Sequence, residues 1–418
     1  MLIEFSVSNF RSFRQKQTFS MVAAPRLRKK NCVFEADVEG EKLPDLLKLA
    51  AIYGPNASGK SNLLRALSVV AEIATLTPQS SQRQLPVTPF RFDPGLADEP
   101  SFFEVHFIKN RCRYQFELAV TPARIVEERL IAYPRGKESL LYERKFNGEF
   151  DVYRIGESLE GGKELHSAWR KLTGPQMLFI AQAVANSSED LQQLRHPFIW
   201  LSGGFSVIDD QMAGWSKIVQ VIAASRPMIT GEMAKYLRDI DVPVTDISFK
   251  TVDGDEQSLL PKDLSSPLAY QELERLVKTA AYKTTLVHKT SLGTAEFDLK
   301  EESKGTRNLL AFFLPWTILG NHVVLVDELD SSLHPKIVAA LVAKHLNSVT
   351  NGQLIFTTHD THLMDTKILR RDQFWLTERD ADGSTQLRSI HDFEGREGED
   401  VEKRYYEGRY RSLPILAQ

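Results

Sequence analysis

Little cysteine, almost no net charge and no unbroken apolar run of membrane-spanning length: each shortage in this chain removes a class of function. Two cysteines in 418 residues, Cys32 and Cys112, cannot build a disulfide framework and lack the spacing of a zinc site, so both are expected as ordinary core or strand residues in a reducing cytosol. Lys plus Arg number 52 against 55 Asp plus Glu, a formal charge of -3, so no global excess demands a nucleic-acid partner. DNA stays possible as a partner but is not indicated by charge. The basic run PRLRKK (25–30) reads as a solvated loop. The longest apolar stretch, 309–326, is broken by Pro315, Gly320, Asn321 and His322. The opening MLIEFSVSNF alternates apolar and polar residues and offers no signal-peptide core. A cytoplasmic protein without membrane contact is the expectation.

Apolar material, by contrast, is ample. The chain is 42% hydrophobic, which at this length predicts two lobes or one domain with a large insertion. Residues 2–8 alternate like a strand, 48–54 (KLAAIYG) read as a buried strand, and 62–76 carry apolar residues at helical spacing, giving a first part of an α/β core over 1–86. Short aromatic and β-branched runs between Pro, Gly and Asn-Gly turns make 87–158 an antiparallel β lobe. Helical segments such as 231–240 and 269–283 predict a helical insertion over 159–290. A strand near 293–299, a helix over 306–319, a strand over 322–327, a helix over 336–347, a strand over 353–357 and a hairpin over 372–390 resume the α/β pattern over 291–392. A tail, 393–418, follows.

Chemistry begins at GPNASGKS (54–61), a complete G-x-x-x-x-G-K-[ST] between a buried strand and an amphipathic helix. Gly54 and Gly59 let the backbone curl so that amides face phosphate oxygens, with Asn56, Ser58 and Asn62 expected to line the same loop. Lys60 would reach the β- and γ-phosphates of ATP, and the Ser61 hydroxyl would ligate Mg2+. The acidic partner is VVLVDELD (323–330): Asp327 would hold Mg2+ through water and Glu328 would act as general base. An Asp-Glu pair directly after a buried Val/Leu run is costly without such partners. LIFTTHD (354–360) is another buried strand, and His359 at its end is placed to touch the γ-phosphate.

An ABC-type ATPase also needs a signature, a small polar loop opening a helix whose amides meet the γ-phosphate held by a second subunit. Two stretches compete. Leu201-Ser202-Gly203-Gly204 has the letters, but it lies more than a hundred residues before Asp327 and runs into the short, β-branched FSVIDD. EESKGTRNLLAFFLPWTIL (301–319) opens a long apolar helix leading into the Asp327 strand, so Ser303, Gly305 and Thr306 are the expected signature and LSGG a decoy at a helix end. The acidic residue usual in SxG is replaced by Lys304. The glutamine that would complete the site stays open among Gln79, Gln82, Gln84 and Gln115.

With these motifs in this order the chain resembles the SMC, RecF and OLD-type ABC ATPases, and more closely the bacterial ABC-like ATPases called AAA family fifteen. FSVSNFRSF, YGPNASGKSNLLRAL, IVEERLIAYPRGKESLLYER, EESKGTRNLLAFF, VLVDELDSSLHP, IFTTHDTHLMD, RRDQFWLTE and YYEGRYRSLP carry the resemblance over nearly the whole sequence. It implies an α/β fold, an ABC-type P-loop NTPase head with an antiparallel β lobe and an inserted helical region. It further implies that Arg11 contacts the nucleotide near its phosphates and that Asp330 is the D-loop acid coupling two sites across a dimer.

Members of this family serve in phage defence, as abortive-infection proteins or as the ATPase subunit of two-gene systems such as PARIS. The expected activity is therefore an ATPase switch, with ATP sandwiched in a homodimer or higher oligomer and a co-encoded effector as partner. A RecF/SMC-like DNA-maintenance ATPase is the alternative. A C-terminal Toprim nuclease is not expected, because the DAD at 380–382 reads as a hairpin turn.

Overall fold

Residues 1–76, 84–208, 213–251, 282–317, 322–396, 398–410 and 412–413 are described by a computed structural model, and they fall into two units. One comprises Met1–Val207, Asn321–Asp327 and Leu346–Gln418, the other Ile208–Gly320 and Glu328–His345.

The first unit starts with β1 (Leu2–Ser8), β2 (Gln17–Ser20), β3 (Val33–Phe34), β4 (Leu46–Leu47), β5 (Leu49–Tyr53) and α1 (Lys60–Ala74). A meander follows: β6 (Ser101–Lys109), β7 (Cys112–Val120), β8 (Ile125–Tyr133), β9 (Ser139–Phe146) and β10 (Asp151–Ile155). These strands join β1 and β2 in a seven-stranded antiparallel sheet ordered β10-β9-β8-β7-β6-β1-β2. Alternation decides which face is covered. In β6, Phe103, Val105 and Phe107 are buried, while Phe102, Glu104 and His106 are only partly so, as expected of a sheet packed on one side.

Helices α2 (Gly162–Leu172), α3 (Phe179–Ala185) and α4 (Arg195–Gly203) bring Trp169, Phe179 and Trp200 into the core with that sheet. Trp200 stacks on Phe107 at 4.0 Å between ring centroids. A buried carboxylate holds α3 in place: Glu128 accepts the Phe179 amide at 2.7 Å, the Ile180 amide at 3.1 Å and the Tyr142 hydroxyl at 2.6 Å. Burial pushes its pKa up, against the pull of Arg144.

After β11 (Phe205–Ile208), the second unit contains α5 (Ala213–Ser225), α6 (Pro227–Asp239), β12 (Val244–Thr251), β13 (Tyr282–Thr290), β14 (Gly293–Asp298) and α7 (Lys304–Thr317). β12, β13 and β14 form a three-stranded sheet. The segment 159–290 is thus divided: its first helices lie in one unit, and the rest is partly strand. Of the helix expected over 269–283, residues 269–281 lie outside the described residues. Tyr282 and Lys283 open β13, whose Thr284, Thr285, Val287 and Thr290 favour a pleated backbone.

β15 (Val323–Val326), α8 (Pro335–Leu346), β16 (Gln353–Thr357), β17 (Phe374–Arg379), β18 (Thr385–Ser389) and α9 (Val401–Tyr406) follow. The second sheet of the first unit has the order β11-β15-β16-β5-β17-β18. β15, β16, β5 and β17 run parallel, and β18 returns antiparallel to β17. All residues of β5, β15 and β16 are buried, as parallel strands covered on both faces require.

The basic run at 25–30 is more than solvated loop. Lys29 donates to the carbonyls of Thr366 and Leu369. Buried Arg370 reaches the carbonyls of Ala24, Leu27 and Arg28 while paired with Asp372 at 2.6 Å. Arg371 does the same for the tail, bonding the carbonyls of Ile390, Phe393 and Arg396.

Candidate nucleotide site

The loop between β5 and α1 has the conformation its glycines predicted. Gly54 (φ 151°), Ala57 (φ 61°) and Gly59 (φ 105°) all lie at positive φ, and Gly59 caps α1 without a side-chain bond to the first amides. The first amides of a helix carry the positive end of its dipole. Lys60 is buried, its Nζ 2.9 Å from the Gly54 carbonyl and 3.1 Å from that of Pro55, so the ammonium sits inside the curl. Asn56 and Ser61 are exposed. Ser58 and Asn62 spend their side chains on protein: Ser58 Oγ lies 2.6 Å from Thr377 Oγ1, and Asn62 Nδ2 donates to Ser12 Oγ at 2.8 Å. What Ser58 offers an anion is backbone.

Parallel register brings the other elements to the same edge. Val326 pairs with Phe356 and Phe356 with Ala51, so Asp327, the Thr357–His359 turn and Gly54 leave the carboxyl ends of neighbouring strands, where α/β sheets bind ligands. Fully buried Thr357 donates to Asp327 Oδ1 at 2.6 Å and orients that carboxylate. The Asp327 carboxylate and the exposed Ser61 hydroxyl at the first turn of α1 are hard oxygen donors of the kind Mg2+ takes together with substrate phosphates. His359 is exposed just past β16. Glu328, next in the chain after Asp327, is exposed and holds φ 52°, a left-handed conformation that costs a non-glycine residue energy and clusters at functional positions.

Arg11 also sits at positive φ, its amide bonded to the Thr88 carbonyl at 2.7 Å and its Nη1 3.3 Å from Asn62 Oδ1. Partial burial, and then the charge of Arg65, push its pKa down. An anion beside it would relieve both effects. Among the glutamines, Gln115 is engaged on the antiparallel sheet with Glu104, Glu117 and Tyr133, and Gln84 is exposed. Gln79 and Gln82 lie outside the described residues.

The second unit carries the stretch expected as the signature. α7 begins at Lys304, two residues before the expected start, because Ser303 caps it: Ser303 Oγ accepts the Thr306 amide at 3.1 Å and lies 2.9 Å from Thr306 Oγ1. Thr306 is therefore buried in the first turn, and Ser303 stays exposed. Gly305 presses on the turn after Glu328; a Cβ there would come within 2.7 Å of the Ser332 carbonyl. Lys304 Nζ reaches Ser331 Oγ at 3.3 Å and Asn308 Nδ2 the Ser331 carbonyl at 3.0 Å. The Ser303 turn and the turn containing half-buried Asp330 are thus one knitted piece.

Leu201, Ser202 and Gly203 form the last turn of α4, with Ser202 Oγ bonded back to the Phe198 carbonyl at 2.8 Å. A helix C-terminus presents carbonyls and negative dipole, the wrong polarity for a phosphate. The helix was legible from sequence only as a helix end; its polarity is the stronger argument against a signature.

Residues 49–365 match the family described as "AAA domain, putative AbiEii toxin, Type IV TA system". Among solved structures, the SMC head bound to the C-winged helix domain of ScpA aligns at 12% identity over 93% of this chain and 97% of that chain, with a TM-score of 0.43. The SMC head domain from Thermotoga maritima aligns at 14% identity over 93% and 98%, with a TM-score of 0.40. No curated protein matches the chain. Among the described residues no helix is long and apolar enough to cross a membrane. The matched span runs from β5 through the loop at 54–61, the Ser303 turn and β15 to Asp365, and the chain belongs to this family of AAA-type P-loop ATPases.

Proposed function

We propose that the protein is an ATP-driven switch in anti-phage defence, in which two copies enclose two Mg-ATP and the enclosed state controls a separately encoded effector. One observation carries this reading. The chain holds two differently built helix N-termini, one capped by Gly59 without a side chain and one capped by the Ser303 hydroxyl. A single nucleotide in a single subunit needs only the first. The second gives a partner copy something to bring to the γ-phosphate, so that ATP, and not ADP, favours the closed pair.

In this reading Lys60 and the amides of the 54–61 loop bind the phosphates, with Arg11 at their side. Ser61 and Asp327 hold Mg2+, which neutralises charge developing on the phosphates. Glu328 takes the proton of the attacking water, His359 contacts the γ-phosphate, and Ser303, Gly305 and Asp330 act across the pair. The family's description as a toxin of a toxin–antitoxin system supports an output in growth arrest.

The test is assembly of Glu328→Gln, which should bind ATP without turning it over. Light scattering should report at least a doubling of mass with ATP and Mg2+ and none with ADP. A variant that binds ATP and stays monomeric would end the sandwich model.

A further inference from the structure

The loop at 54–61 is shaped from outside. Ser58, the residue before the Gly59 cap, is held at both ends by the β17–β18 hairpin: its hydroxyl meets Thr377 Oγ1 at 2.6 Å, and its carbonyl meets Thr385 Oγ1 at 2.8 Å. Ser58, Thr377 and Thr385 are all essentially inaccessible to solvent, so each of these polar atoms depends on its protein partner.

Proton counting gives the contacts a direction. Thr385 Oγ1 lies 2.8 Å from both the Ser58 carbonyl and Ser12 Oγ. It has one proton, which it shares between the two acceptors, the Ser58 carbonyl and Ser12 Oγ. Ser12 in turn accepts from Asn62 Nδ2, whose Oδ1 accepts from Arg11. On the other side Ser58 donates to Thr377, and Thr377 donates to the Tyr53 carbonyl at 3.2 Å.

The consequence for phosphate binding follows from peptide geometry. Oxygen and hydrogen of a trans peptide point in opposite directions. Fixing the Ser58 carbonyl on Thr385 therefore turns the Gly59 N–H away from the hairpin, and fixing the Tyr53 carbonyl on Thr377 does the same for the Gly54 N–H. Steric fit, independent of these bonds, agrees. A Cβ on Gly54 would lie 2.4 Å from both the carbonyl and the hydroxyl of Thr377, and one on Gly59 would lie 2.1 Å from Thr385 Oγ1.

We propose that the β17–β18 hairpin is the mould of the phosphate loop, with Thr377 and Thr385 as positioning residues that aim the loop's amides at the nucleotide. The proposal rests on the nucleotide reading above, and both threonines lie beyond the span matched to the family, 49–365.

The experiment uses the full chain and measures affinity for a fluorescent ATP and a fluorescent ADP, with thermal melting alongside. Thr385→Val should weaken both nucleotides about tenfold or more, the scale expected when a buried carbonyl loses its donor. The two losses should be equal, because the loop amides act on phosphates that ATP and ADP share. Thr385→Ser, which restores the hydroxyl, should return to within about threefold of the unaltered chain; a purely packing role would not be rescued in this way. If Thr385→Val loses its cooperative melt, Ser12→Ala breaks the same chain at a half-exposed residue and should still weaken binding several-fold. Full affinity in whichever of these two variants folds overturns the mould. An unaltered chain that fails to bind ATP, or a Lys60→Ala chain that binds it normally, overturns the nucleotide reading instead, and the mould with it.

Discussion

At the start of α1 the cap is Gly59, which has no side chain to offer the first amides; at the start of α7 Ser303 accepts the Thr306 amide itself. The first terminus has no cap side chain and is held in shape by hydroxyls on strands more than three hundred residues later. The second is self-held and braced by the neighbouring turn through Ser331 and Ser332. A loop without a capping side chain of its own takes its rigidity from elsewhere in the fold, whereas the Ser303 turn is locally complete.

That contrast can be broken experimentally. Gly59→Ala should act most strongly, since it places a Cβ at positive φ against Thr385. ATP affinity should fall by about a hundredfold or more, the scale of backbone strain plus overlap, as measured by equilibrium binding. Gly305→Ala pushes against the Ser332 carbonyl in the other unit. It should leave ATP affinity within about twofold while lowering steady-state turnover about a hundredfold, the scale of losing a positioned donor in the transition state. Ser202→Ala is the matching control and should leave both unchanged; equal loss from Ser202 and Gly305 would refute the assignment of the signature. Apart from that control, the smallest effect belongs to Ser303→Ala, which removes a helix cap worth about 1 kcal/mol. Thermal denaturation should show that modest loss with the Gly59 terminus still binding ATP.

The sequence was most legible where function is local. GPNASGKS announces its curl because glycine spacing and the following helix are adjacent in the chain, and Val323 to Val326 announce a buried strand by composition alone. Thr377 and Thr385 gave no such signal: in FWLTE and TQLRS they look like ordinary strand formers, and their partners Ser58 and Ser12 lie at the other end of the chain. For the same reason Ser58 and Asn62 read as ligand contacts when their side chains serve the scaffold. Glu128 resembled any charge on an alternating strand, although it caps α3. The stretch 159–207 looked like the beginning of an insertion because helical periodicity shows that a helix has an apolar face without showing what covers it; Trp169 and Trp200 turn out to face the antiparallel sheet.

The place of the β17–β18 hairpin in the chain also sets a schedule. β5 takes both its sheet neighbours, β16 and β17, from beyond residue 352, and the loop after it is clamped by Thr377 and Thr385. A polypeptide still emerging from the ribosome therefore carries its 54–61 motif early but gains the contacts that shape it only once Thr385 has been made. Such an order would keep copies that lack the hairpin from presenting a shaped loop to a nucleotide.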